Sequence, residues 1–213
     1  MNIVFEDESV IVIDKPEGLL TMATEGERSK TAYALLRQYL HSKKPPEQLF
    51  IVHRLDREAS GLLVFAKTSQ AKDRLQDQFK AHTAGRRYVA VVEGCVKADD
   101  FTIRSYLTEN AAYRVYSTRN TRAGKLAVTH VHVLKRGAKS TLLDIRLETG
   151  RKHQIRVHLA ESGHPIVGDK NYGRGANPFR RLALHGAHLD FQHPDSGKLM
   201  HFVSRPPKTF RVF

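Results

Sequence analysis

The chain predicts an α+β domain: a mixed, mainly antiparallel sheet with flanking helices. Two patterns lead there. β-like runs outnumber helical ones, and several are separated by short turn signals of the kind that close hairpins. The third observation is size. At 213 residues, 40% of them hydrophobic and with no repeat, low-complexity tract or convincing boundary, the chain suits one domain over 1–213 with a real core.

The elements follow in order. Ile3-Val4-Phe5 and Val10 to Ile13 read as strands around a turn at Glu6 to Ser9, and Lys15-Pro16-Glu17-Gly18 stops the second. Thr31 to Leu40 reads as a helix, with Ala32, Leu35, Leu36 and Leu40 near one stripe, ended by Lys43-Lys44-Pro45-Pro46. Leu62 to Ala66 is a continuous apolar run, as in a strand covered on both faces. Ser69 suits the N-cap of a helix with Ala71, Leu75 and Phe79 four apart. Arg87 to Glu93 is β-rich. Ala127 to Leu134 alternates, and Thr141 to Leu147 is its expected hairpin partner across Lys135-Arg136-Gly137. Thr149-Gly150 opens a helix to about Ser162, with Gly163 placed as a C′ glycine. Leu182 to Phe191 and Leu199 to Val203 form a last hairpin around Pro194 to Gly197. The loops Ala23 to Lys30 and Gly168 to Pro178 are long enough to carry function.

Composition narrows the function classes. Lys plus Arg number 35 against 22 Asp plus Glu, a net charge of +13. No run approaches the roughly 20 apolar residues that span a bilayer. The N-terminus carries Glu6, Asp7 and Glu8 and no basic n-region, unlike a signal peptide. One cysteine, Cys95, rules out a disulfide framework and a Cys-based zinc site. These features predict a soluble cytoplasmic protein whose basic surface attracts phosphates, nucleic acid first among them.

The most informative segment is His53-Arg54-Leu55-Asp56-Arg57-Glu58-Ala59-Ser60-Gly61-Leu62-Leu63, densely charged and running straight into an apolar strand. A carboxylate at such an edge sits between solvent and core, where it can serve as nucleophile or general base. The same residues equally fit an Asp that caps a turn or forms an ion pair.

This segment, extended to Lys67, resembles the signature of the RluA family of RNA pseudouridine synthases. Further segments match in order. Asp14-Lys15-Pro16-Glu17-Gly18 resembles the family's N-terminal turn, and Arg87 to Gly94 its tyrosine-bearing strand. Gly150-Arg151-Lys152-His153-Gln154-Ile155-Arg156, continuing through Gly163-His164-Pro165-Ile166-Val167-Gly168-Asp169 to Tyr172-Gly173, resembles its longest block. Leu182 to Ala187 is similar to its closing strand. The resemblance covers about residues 10–205. Two departures are small: Ala59 stands where Thr is usual, and Gly186 interrupts the closing motif.

The resemblance implies a pseudouridine-synthase-like catalytic domain with a central basic cleft. It implies Asp56 as the essential carboxylate, attacking C1′, adding to uracil C6 or acting as a base. Arg156 is implied as the guanidinium that pairs with and orients Asp56, although an exposed helix Arg reads the same way. Tyr88 is implied to stack on uracil and Leu184 to line the pocket; by residue type alone both are core. Arg54 fills the space left by an extruded uridine or holds a phosphate, against a local ion pair with Glu58. The reaction exchanges an N1–C1′ bond for a C5–C1′ bond with no redox change, so neither cofactor nor metal is expected. His185-Gly186-Ala187-His188 falls in a strand, where residues three apart face opposite ways, so metal ligation is not expected there. The expected partner is structured RNA, an rRNA or tRNA stem-loop, bound by a monomer. The family often carries an S4-type RNA-binding domain, and this chain begins at the catalytic domain, so target choice is expected to rest on its own basic surface. Two rivals are a catalytically silent RNA-binding module and a metal-dependent phosphoesterase. The intact motifs argue against the first, and the second needs clustered carboxylate and His ligands that the sequence does not display.

Overall fold

The computed structural model describes residues 1–43, 47–175 and 177–213. The chain divides into two compact units, one of residues 1–86 and 186–205, the other of 87–185 and 206–213. Among the described residues no helix is long and apolar enough to cross a membrane.

In the first unit, strands β1 (Asn2–Glu6) and β2 (Val10–Lys15) form the expected hairpin. Asp7 closes its turn, with Oδ1 accepting from the N–H groups of Ser9 and Val10 at 2.9 and 2.8 Å. Helix α1 (Ala32–His41) is capped by Thr31, whose hydroxyl accepts from Ala34 N at 3.0 Å. The breaker proposed at 43–46 lies, from 44 on, outside the described residues. Strand β3 (Phe50–Ile51) pairs with β4 (Ser60–Ala66), and β4 pairs antiparallel with β2. Every β4 residue is buried, as the apolar run predicted. Helix α2 (Ser69–Lys80) starts one residue earlier than expected, because its cap is Thr68, whose extended backbone lets its hydroxyl take Ala71 N at 3.1 Å.

In the second unit, β5 (Gly85–Glu93), β6 (Asp100–Glu109), β7 (Val115–Thr118), β8 (Lys125–Arg136) and β9 (Ser140–Leu147) pair antiparallel in the order β5-β9-β8-β6-β7. The β8–β9 hairpin is the one the alternation predicted. Strands β6 and β7 were not anticipated, because β6 is half-exposed along most of its length and carries no continuous apolar signal. Helix α3 (Gln154–Glu161) begins five residues later than the expected Thr149. The reason is the Gln154 side chain. Its Oε1 accepts from Thr149 Oγ1 and Arg151 N, at 2.8 and 3.0 Å, which folds 149–153 into a turn. Gly163, φ 89°, ends α3 as predicted, with Gly163 N on Ala160 O and His164 N on Leu159 O. The last hairpin, β10 (Leu184–Gln192) with β11 (Leu199–Val203), is also as expected. The chain passes between units inside β5, inside β10 and again after β11 at Arg205 and Pro206, and at the first two no linker composition marks the passage.

The first unit's core gathers Val10, Val12, Leu62, Val64, Leu75 and Phe191. In the second, Leu107, Val115, Ala127 and Val157 form an apolar cluster beside a buried polar network. Gln154 Nε2 donates to Val128 O and Thr129 Oγ1 at 3.0 and 2.9 Å. The His158 ring bridges Thr129 Oγ1 at 2.9 Å and Ser105 Oγ at 3.0 Å. Gly61 sits on β4 at φ 117°, where a Cβ would come within 2.3 Å of the Gly186 carbonyl oxygen. Only glycine allows that approach.

Two outcomes follow. Gly61→Ala should destabilise by roughly 2–4 kcal/mol, combining a strained φ with a backbone collision, read as a lower urea midpoint. The second concerns pH. Burial lowers the pKa of His158 to about 4, and burial, with Arg86 nearby, lowers that of His53 to about 3, both from 6.5. In the folded state both stay neutral, while the unfolded chain protonates near 6.5. Their stabilisation is therefore complete above that value and is lost as pH falls toward 4 and 3. His158→Gln should remove up to about 1.4 kcal/mol per pH unit from the slope of unfolding free energy between pH 6 and 4, measured by urea titration.

Candidate active site

Asp56 lies in the loop between β3 and β4. Leu55 and Ala59 are buried, Arg54, Arg57 and Glu58 are exposed, and Asp56 is half-buried between them. The loop is short of regular structure, so its backbone groups need outside partners. The 15–21 segment provides them. Thr21 Oγ1 donates to Leu55 O at 2.9 Å and accepts from Leu55 N at 3.1 Å. Lys15 is 0% exposed, and its ammonium donates to Pro16 O, Leu19 O and Arg57 O at 2.9, 2.7 and 3.3 Å. Arg57 Nε returns a bond to Gly18 O at 3.1 Å. Both residues that flank Asp56 are thus tied to one turn.

His53 fixes the start of the loop. Its Nε2 accepts from Val64 N at 3.2 Å, and its ring stacks on Phe79 with centroids 4.5 Å apart. As an acceptor at Nε2 the neutral ring carries its proton on Nδ1.

The second unit holds three more of the predicted residues. Tyr88 stands on β5 opposite Ile145 and is 7% exposed. Leu184 opens β10 and is buried. Arg156 is 2% exposed, which excludes the surface-helix reading. Its Nε and Nη2 meet the Asp169 carboxylate at 2.8 and 2.9 Å, a two-point contact. Burial pushes the Asp169 pKa up. The Arg156 guanidinium and the N–H groups of Asn171 and Tyr172 outweigh it and hold the group below its ordinary value. The Tyr172 ring lies 5.4 Å from the guanidinium carbon, and its hydroxyl contacts His153 Nδ1 at 3.0 Å. His153 adopts φ 53° at the helix start.

Sequence reasoning singled out Arg54, Asp56, Tyr88, Arg156 and Leu184. It overlooked Lys15, Thr21 and Asp169 as supports. Lysine is rarely buried, so nothing in the type of Lys15 announces its role. Asp169 stood only as one letter of a long motif.

Residues 9–161 match the family model described as RNA pseudouridylate synthase. An uncharacterized RNA pseudouridine synthase of Bacillus subtilis, YlyB, is 38% identical over 98% of this chain and 70% of its own length. Ribosomal large subunit pseudouridine synthase D of Zymomonas mobilis is 35% identical over 100% of this chain and 71% of its own. Its namesake in Pseudomonas aeruginosa is 36% identical over 99% and 69%. Among solved structures, human RNA pseudouridylate synthase domain containing 4 superposes with a TM-score of 0.80 at 24% identity, covering 98% of this chain and 90% of that one. Human RNA pseudouridylate synthase domain containing 1 gives 0.76 at 25% identity, over 96% and 82%. The RluA-type resemblance read from five segments thus extends to sequence and fold along the whole chain, which belongs to the RNA pseudouridylate synthase family, isomerases that act on RNA.

Proposed function

We propose that this chain converts uridine to pseudouridine in large-subunit ribosomal RNA, with Asp56 as the essential carboxylate. The observation that carries the assignment is the clamped loop. A half-buried carboxylate between two residues held by Thr21 and Lys15 is pre-positioned for chemistry on a bound nucleotide. The rRNA target is supported by the names of the relatives from Zymomonas mobilis and Pseudomonas aeruginosa.

In the reaction the N1–C1′ bond breaks, uracil turns, a C5–C1′ bond forms, the C5 proton leaves to solvent and N1 takes up a proton in its place. Electrons balance within the nucleotide, so the chemistry calls for neither metal nor cofactor. Asp56 acts directly on the uridine. Tyr88 stacks on the uracil ring, a contact worth roughly 1–3 kcal/mol. Leu184 gives the base an apolar wall. Arg156, its fork set by Asp169, has the positioning role that the family resemblance implies for it. Arg54, exposed beside Asp56, takes a phosphate or the space of the extruded nucleotide, whose extrusion costs a few kcal/mol. The partner is a structured stem-loop, and the enzyme works as a cytoplasmic monomer. A silent binding module has no use for a carboxylate held this firmly among arginines.

Asp56→Asn keeps the shape and loses the charge. Turnover should drop by more than about a hundredfold in a tritium-release assay on RNA labelled at uracil C5, with circular dichroism and RNA affinity retained. Turnover within tenfold of wild type sinks the assignment. Arg156→Lys keeps the charge but loses the two-point contact with Asp169, so turnover should fall by about tenfold or more. Full turnover with lowered thermal stability would reduce Arg156 to a structural part.

A further inference from the structure

The positive charge of the second unit is concentrated. Across residues 100–136, the β6–β7–β8 meander, seven Lys and Arg stand against two acids, Asp100 and Glu109. At its end the two turns and the residues leading into α3 enclose a pocket of about 480 Å³. Leu107, Val115 and Ala123 supply its apolar lining, Lys125, Arg151 and Lys152 its cations and Glu109 one carboxylate, while Tyr113 stands beside the lining residue Lys152 at the rim. None of Asp56, Tyr88, Arg156 or Leu184 lines it.

Its polar groups are set in advance. Arg151 Nε donates to Leu126 O at 3.0 Å, which fixes the guanidinium. Lys152 pairs with Glu109 and lies 5.4 Å from the centre of the Tyr113 ring. Tyr113 occupies the β6–β7 turn at φ 59° and is 76% exposed. Core packing therefore does not explain this ring. An apolar floor, flanking cations and an outward aromatic together form the combination that takes a single-stranded nucleotide. The floor and ring receive the base, and the cations receive its phosphates. The volume falls in the range of small-ligand sites. A lipid surface would call for a row of exposed apolar side chains, and an acidic peptide would leave the exposed ring unused.

We propose that this pocket binds an unpaired nucleotide of the substrate RNA other than the isomerised uridine, with Tyr113 stacking on its base and Arg151 and Lys125 on its phosphates. The identity of the polymer rests on the RNA-isomerising reading above. The pocket would let the enzyme recognise a target by a second, non-reacting base, so it governs affinity and choice of RNA rather than the chemical step.

The test uses the full chain and a transcript of bacterial large-subunit rRNA at fixed low salt, with Kd from filter binding and turnover from tritium release. Ala123→Trp plugs the pocket from an exposed position and leaves the charge unchanged. It should raise Kd by about tenfold, and Tyr113→Ala by at least about fivefold, the lower end of a lost stack. Lys135→Ala, on the same meander but outside the pocket, removes one charge and should change Kd by less than about twofold. A photoreactive benzoylphenylalanine at position 113 should crosslink to one nucleotide distinct from the modified uridine. The proposal is overturned if Ala123→Trp and Tyr113→Ala bind no worse than Lys135→Ala, or if position 113 yields no RNA crosslink. A wild-type chain that binds the transcript and releases no tritium defeats the rRNA-isomerase reading, and the Kd comparison still decides the pocket.

Discussion

An ammonium group with no exposure to water needs acceptors around it, because an unpaired buried charge costs several kcal/mol. Lys15 meets that demand with the carbonyls of Pro16, Leu19 and Arg57. Two of these acceptors belong to its own turn and the third to the loop that carries Asp56. The electrostatic need of one lysine therefore sets the distance between two segments 42 residues apart in sequence. Thr21 adds a two-way bond with Leu55, and the Arg57 guanidinium returns to Gly18. The N-terminal turn is thus less a connector than the mount on which the carboxylate sits. Its proline and glycine suit the purpose, since Pro16 fixes one φ and Gly18 takes φ 75°.

The second unit solves a similar problem differently. Every residue of α3 from Gln154 to Leu159 is buried. Its inward groups are both apolar and polar, and each polar one is matched: Gln154 to Val128 and Thr129, Arg156 to Asp169, His158 to Ser105 and Thr129. Breaking the Arg156–Asp169 pair by removing one side leaves an uncompensated buried charge, which costs more than the pair contributes when intact. The two-point contact fixes the orientation of the guanidinium.

What the sequence made legible follows from these facts. Elements with a one-sided or continuous apolar pattern, such as α1, β4, the β8–β9 hairpin and the final hairpin, could be read directly. Half-exposed β6 could not, nor could the start of α3, where the Gln154 side chain rather than a cap residue decides. Thr68 and Ser69 are both good caps, and only backbone conformation separates them. For the site, the motifs named Asp56, Arg156, Tyr88 and Leu184 through resemblance, while residue chemistry alone left each with an ordinary structural alternative. The supports Lys15, Thr21 and Asp169 act through geometry between distant segments, which no local pattern carries.

Helix α3 has eight residues, well below the length at which a helix persists alone in water. Its Gln154 and His158 anchors are side chains bonded to β8 and β6, so the helix exists only while that sheet does. Its backbone amides consequently have no private opening route. They should exchange with deuterium at the pace of β8 rather than at the faster pace of an ordinary short helix, making α3 and its sheet a single kinetic unit.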